Sequence, residues 1–253
     1  MSGYRDFSEF YDQLMTDVDY AAYAAYLIAL FEKHAAYPKT VLDLACGSGS
    51  LSVELQKLGI DPIGVDASEG MLARAAEKLP NALLLCQDMR DLDLYGTVDG
   101  AVCTLDSLNH LSGTSDISQV FRRVRLFVEP GGLFIFDMNT PYKHREVLAD
   151  RAFVTEEDGV VCTWRTRYIP RGQRVDMLLD FFAEEPDGRY ERYQDTVSER
   201  AYSLGTVKRL LTETGWDTVA VYEAMTTNEP APDCERWVFV ARSNRTEAEA
   251  RGE

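Results

Sequence analysis

The sequence predicts an α/β fold: a doubly wound, mostly parallel seven-stranded sheet with an antiparallel β insertion after the fifth strand. Three observations point to it. Short apolar runs alternate with segments of helical periodicity from residue 40 to residue 139. The first of these runs passes into a glycine turn, DLACGSGS at 43–50, directly before a helical segment. From 140 to about 200 the rhythm changes to period-two segments separated by turn signals.

The elements follow in order. Residues 19–34 place Tyr23, Tyr26, Leu27, Leu30, Phe31 and His34 at helical spacing, with Asp17 or Asp19 as N-cap and Pro38 as stop. TVLDLA (40–45) reads as a buried strand, and a helix over about 50–58 is closed by Gly59. Strand PIGVD (62–66) precedes helix SEGMLARAAEKL (68–79), which Ser68 can cap. Strands ALLLCQD (82–88) and VDGAVCTL (98–105) follow, then helix ISQVFRRVRLFV (117–128). Pro130, Gly131 and Gly132 turn the chain into strand LFIFDMN (133–139).

VVCTWRTRYI (160–169), RVDMLLDFFAEE (174–185) and RYERYQDTVSER (189–200) form the insertion, an antiparallel meander. Its exposed face, with Trp164, Arg165, Arg167, Tyr190 and Tyr193, is expected to cap the substrate side or to form a homodimer contact. A helix over 203–214, capped by Ser203 and stopped by Gly215, leads to the closing strands 216–224 and 235–242. The core therefore comprises 1–139 and 201–243, with an N-terminal helical lid to about 36; the insertion is 140–200, and the polar tail 244–253 is expected to fray.

Composition narrows the function. Of 253 residues, 45% are hydrophobic and 27% charged, the balance of a globular chain. A net charge of −16 repels phosphate backbones, which disfavours nucleic acid as a partner. Five cysteines without a CxxC pair, and three histidines without helical ligand spacing, give no signal for a metal centre or a disulfide framework. No apolar run reaches the roughly 20 residues of a membrane span, and MSGYRDFSEFYD lacks an apolar signal core, so a cytoplasmic location is expected.

The chemistry centres on the glycine turn. Gly47 and Gly49 let a ligand approach the backbone, and the helix behind offers unpaired N–H groups. Two readings fit. A dinucleotide site asks for a third Gly or Ala where this chain has Ser52; a nucleoside ligand without pyrophosphate does not. Three aspartates sharpen the choice. Asp66 ends the second strand, where it can accept both ribose hydroxyls. Asp88 ends the third and can accept from an adenine amine, and Asp43 on the first can orient an ammonium. A ligand bearing an amine, a ribose and an adenine matches all three.

VLDLACGSGSLSVEL resembles the first motif of class I S-adenosylmethionine-dependent methyltransferases, and GVDASEGML, LCQDMRDL, DGAVCTLDSLNHL and VEPGGLFIFDMNT resemble the later ones in order. The opening FSEFYDQLMTDVDYAAYAAYL resembles the YqeM-like bacterial subgroup, which also carries an antiparallel insertion before its last helix. The resemblance implies a Rossmann-like fold with S-adenosylmethionine as cofactor. By position it assigns Ala45, Gly47 and Gly49 to the methionine moiety and Asp66 to the ribose. Ala67, Met71, Asp88 and Met89 would lie around the adenine, and Leu105 near the sulfonium. Ser50 stands where the family often has a third glycine.

In-line methyl transfer draws much of its acceleration from positioning, and no GxSxG, GK[ST] or HExxH motif is present. If the acceptor needs a base, Asp106, Asn109 and His110 after the fourth strand are the candidates, His110 first because imidazole exchanges protons near neutral pH. Asp106 and Asn109 would serve equally well to satisfy loop backbone groups. TLDS (104–107) lacks the N/D-P-P-Y/F signature of enzymes methylating base amines. Tyr11 could reach the cofactor as part of the lid. A small-molecule acceptor is the expectation.

Overall fold

A computed structural model describes residues 18–157 and 159–251, with the side chains of 250 and 251 left aside. Tyr11 and the rest of the expected lid before residue 18 lie outside the described residues.

Helix α1 (Tyr20–Lys33) starts at Asp19, whose side chain accepts from the Ala22 amide at 2.9 Å. It is followed by β1 (Thr40–Leu44), α2 (Ser50–Lys57), β2 (Asp61–Asp66), α3 (Glu69–Lys78), β3 (Leu83–Cys86) and β4 (Val98–Cys103). Next come α4 (Thr114–Phe127), β5 (Val128–Asn139), β6 (Ala152–Glu157), β7 (Val160–Ile169), β8 (Arg174–Glu184) and β9 (Tyr190–Arg200). The chain closes with α5 (Leu204–Glu213), β10 (Trp216–Glu223), β11 (Arg236–Ser243) and α6 (Glu247–Arg251). Ser68 and Ser203 cap α3 and α5 as their positions predicted.

The main sheet has seven strands in the order β10-β11-β5-β4-β1-β2-β3, with β1 to β5 parallel and β11 antiparallel to both neighbours. Alternation along β5 divides the core. Phe134, Phe136 and Met138 join Phe121, Trp216 and Phe239 on one face. Leu133 and Ile135 join Leu27, Phe31 and Leu55 under α1 and α2 on the other. Each fully buried side chain of this size contributes roughly 1.5–3 kcal/mol. The same alternation turns Asp137 towards α1, where the Tyr23 hydroxyl donates to it.

The second sheet, β6-β7-β8-β9, is antiparallel throughout, as expected for the insertion. Its two faces differ, which corrects the expectation of one exposed face. Arg165 and Arg192 converge on Asp180 at 3.0 and 2.5 Å. Trp164 instead stacks on Phe153 at 4.2 Å and lies with Tyr193, Val160 and Phe181 on the apolar side, because adjacent residues of a strand face opposite ways. The tail makes contacts of its own. Arg245 donates to the Leu126 carbonyl at 2.6 Å and Arg125 pairs with Glu249 at 3.2 Å, and residues 247–251 form a helix. No helix among the described residues is long and apolar enough to cross a membrane.

Candidate active site

The strand order sets the ends of β3, β2, β1 and β4 side by side, the edge at which open parallel sheets bind ligands. The turn after β1 is left-handed at Ala45 (φ 60°), Gly47 (φ 55°) and Gly49 (φ 77°). The two glycines do different work. A Cβ on Gly49 would meet the Ala75 Cβ at 3.0 Å and Leu79 at 3.2 Å, so this glycine seats the turn against α3. A Cβ on Gly47 would meet nothing within 4 Å, leaving room for a ligand against the backbone.

Asp66 closes β2 and ties the two turns together. Its carboxylate accepts from the Gly47 amide at 2.9 Å and the Ser68 amide at 2.8 Å. Burial raises its pKa while those amides oppose the rise, and lone pairs remain on both oxygens for a ribose. Asp43 is buried on β1, and the residue that weighed against a dinucleotide proves to be its partner: Ser52 donates to Asp43 at 2.5 Å. Burial pushes Asp43 up to about 6, with Asp66 adding to the rise and the Ser52 hydroxyl opposing it. Ser50 faces Lys78 at 3.0 Å.

Asp88 stands differently from the expectation. β3 ends at Cys86, and Asp88 caps a short 3₁₀ turn (Met89–Asp91), taking the Arg90 amide and guanidinium at 2.9 and 2.5 Å. The Arg90 side chain holds this carboxylate below its usual range. One oxygen keeps lone-pair capacity for a further donor. Ala67 is exposed, Met89 half-buried and Met71 buried.

At the end of β4, Leu105 (φ 54°) and Asp106 (φ 55°) are both left-handed without being glycine, a costly conformation that something must hold. Asp137 holds it. One oxygen accepts from the Leu105 amide at 2.8 Å and the other from the Asp106 amide at 2.7 Å. Arg236 then bridges Asp137 at 2.8 Å and Asp106 at 2.7 Å. Burial would raise Asp106, yet Arg236, His110 and Lys143 hold it at about 2. Asp106 is thus fixed as an anion, which corrects its candidacy as a base.

Asn109 is corrected too. It is fully buried; its Nδ2 donates to the carbonyls of Asn139 and Arg200 at 3.1 and 3.0 Å, and its Oδ1 accepts the Asn139 amide at 2.9 Å. Every polar atom is spent on the backbone. His110 has a ring nitrogen within 4.8 Å of carboxylate oxygens of Asp106 and Glu199. Arg236 and Asn139 already supply the counter-charge and donors to Asp106 that a cation would otherwise supply.

Asp137, Asn139, His144, Glu199 and Arg236 were not singled out from sequence. The one local signal was a carboxylate and an amide within the apolar run FIFDMN. A cavity of about 310 Å³ lined by Glu223, Ala224, Asp233, Glu235 and Arg236 adjoins this group. Another, about 600 Å³, lies between α4 and α5 and shares no residue with it.

Residues 41–132 match the family model described as a methyltransferase domain. A protein of Geobacillus sp. (strain WCH70) that bears a methyltransferase name is 30% identical over 244 residues, 94% of this chain and 99% of its own. A solved S-adenosylmethionine-dependent methyltransferase from Clostridium acetobutylicum superposes with a TM-score of 0.86 at 28% identity, over 96% of this chain and 99% of that one. A dTDP-3-amino-3,4,6-trideoxy-α-D-glucopyranose N,N-dimethyltransferase of Streptomyces venezuelae is 28% identical over 180 residues, 70% of this chain and 75% of its own. Glycine/sarcosine N-methyltransferases also match over about half or more of the chain. The dinucleotide reading is thereby set aside. The chain belongs to the S-adenosylmethionine-dependent methyltransferases.

Proposed function

We propose that the protein methylates the nitrogen of a small-molecule amine. The observation that carries this reading is the paired placement of Asp106, locked as an anion by Arg236, and His110 beside it at the end of β4. Each Asp106 oxygen keeps a lone pair beyond those taken by Arg236 and Asn139, which an ammonium N–H can use, and an imidazole can take the proton that nitrogen must lose before it attacks. The likeness to an amino-sugar N,N-dimethyltransferase and to a glycine/sarcosine N-methyltransferase supports the same class.

The residues fit the cofactor. The open space over Gly47 admits it, Asp66 has lone pairs for two hydroxyls, and Asp43 offers a negative charge to an ammonium. S-adenosylmethionine supplies a methyl group on a sulfonium, which departs as a neutral thioether. The chain's part is to hold and orient. Asp137 fixes the strained turn, Asp106 offers a lone pair to the acceptor's N–H, and His110 removes its proton. Calorimetry with S-adenosylmethionine, then labelled-methyl transfer to amino sugars, glycine and sarcosine, tests the reading. Transfer to hydroxyl acceptors alone would overturn it.

A further inference from the structure

The insertion brings a buried ionisable pair to this site. His144, in the turn after β5, is fully buried, and Glu199 on β9 is 5% exposed. The His144 Nδ1 lies 3.1 Å from the Gln173 carbonyl oxygen and its Nε2 lies 3.1 Å from Glu199 Oε2. A carbonyl oxygen only accepts, so Nδ1 carries a hydrogen. A neutral ring then presents a bare lone pair at Nε2, and an ionised Glu199 presents another. Two acceptors at hydrogen-bond distance in a buried place require a proton between them.

That proton matters to the site through Asn139. Its Nδ2 donates to Glu199 Oε2 and to Asp106 Oδ2, both at 2.9 Å, while its Oδ1 accepts from Lys143 at 3.1 Å. The groups facing the pair are therefore Asp106 and His110 from the loop after β4, Asn139 and Lys143 from the end of β5, and Gln173 from the β7–β8 hairpin. Arg236 stands behind Asp106.

We propose that His144 and Glu199 hold one shared proton and are a positioning pair for the acceptor site, acting on Asp106 through Asn139 and on His110 through the charge of Glu199. Their role in positioning an acceptor rests on the amine reading; the shared proton does not. With the proton in place, the pair carries no net charge beside His110. Without it, Glu199 becomes an uncompensated anion within 4.8 Å of His110 and Asp106.

The test is nitrogen-15 NMR of the full chain labelled at histidine. Three histidines give three ring systems, which His34→Gln and His110→Gln assign. His144 should keep a protonated Nδ1 from neutral to alkaline pH and show a hydrogen-bonded proton at Nε2, lost in Glu199→Gln. His144→Gln should raise the titration midpoint of His110, because Glu199 is left bare, and the double variant should reverse that rise. An unprotonated Nδ1 in the wild type, or a His144 spectrum unchanged in Glu199→Gln, would overturn the proposal. So would an upward His110 shift that persists in the double variant. Should His144→Gln fail to fold, the wild-type and Glu199→Gln spectra still decide. None of these readouts depends on methyl transfer, so a failed amine panel would not imitate a failed pair.

Discussion

Asn109 and Asn139 pair reciprocally: the Asn109 amide accepts the Asn139 N–H at 2.9 Å and donates to the Asn139 carbonyl at 3.1 Å. A side chain here does what a neighbouring strand would do for the end of β5. Asn109→Ala strips three backbone groups of this partner at once, the buried Asn139 N–H and carbonyl and the part-buried Arg200 carbonyl. The expected loss is about 3 kcal/mol of stability in urea unfolding. A catalytic role would instead reduce turnover in a variant of unchanged stability.

Arg236 should be a sensitive charge, because it bridges two carboxylates. Its guanidinium reaches two carboxylates in different directions, which a lysine ammonium cannot reproduce. Arg236→Leu leaves Asp106 and Asp137 unpaired, and about 3–5 kcal/mol of stability should be lost at neutral pH. Asp106 is held below its unfolded value, at about 2, so the stability it contributes is present above pH ~4 and fades as pH falls towards 2. The gap between wild type and variant should narrow over that acid range. A gap independent of pH would contradict the bridge.

Local chemistry made much of this legible in sequence. Periodicity and caps located α1, α3 and α5, and the glycine turn and Asp66 fall at the ends of β1 and β2 where the sequence put them. What sequence did not yield is long-range. Asp137, Glu199 and Arg236 lie on strands whose partners are set by sheet order, and Glu199 meets His144 from 55 residues away. Nothing in the spacing of β9 marks two of its charged residues, Asp195 and Glu199, as buried. Asp88 misled for the opposite reason, since a residue two positions away, Arg90, supplies its partner.

Gly47 and Gly49 should separate binding from stability. Alanine at either position takes on left-handed strain of roughly 1–2 kcal/mol. At Gly47 that is the whole structural cost, while the new methyl group enters the ligand space; S-adenosylmethionine affinity should fall more than stability does. At Gly49 the methyl group also collides with Ala75 and Leu79, adding about 1–3 kcal/mol. Thermal melting without ligand, beside calorimetry with S-adenosylmethionine, distinguishes them. The reverse ranking would relocate the ligand.

Asp43 should trade stability for binding, in a pH-dependent way. Its folded pKa, about 6, lies above its unfolded value near 3.8, so the native state binds more protons in that interval. Stability from this group therefore falls as pH rises from about 4 to about 6, by up to roughly 3 kcal/mol, and stays low above that. Asp43→Asn removes the titration and keeps an oxygen for the Ser52 hydroxyl. Its stability relative to wild type should rise by up to about 3 kcal/mol between pH 4 and pH 8. Binding runs the other way. A ligand ammonium beside Asp43 favours the ionised carboxylate, so wild-type affinity for S-adenosylmethionine should tighten as pH climbs through about 6, and the asparagine variant should lose that rise. Melting curves and calorimetry at both ends of the range check the two halves independently. A variant whose affinity still follows pH in the wild-type manner would remove Asp43 from the cofactor site.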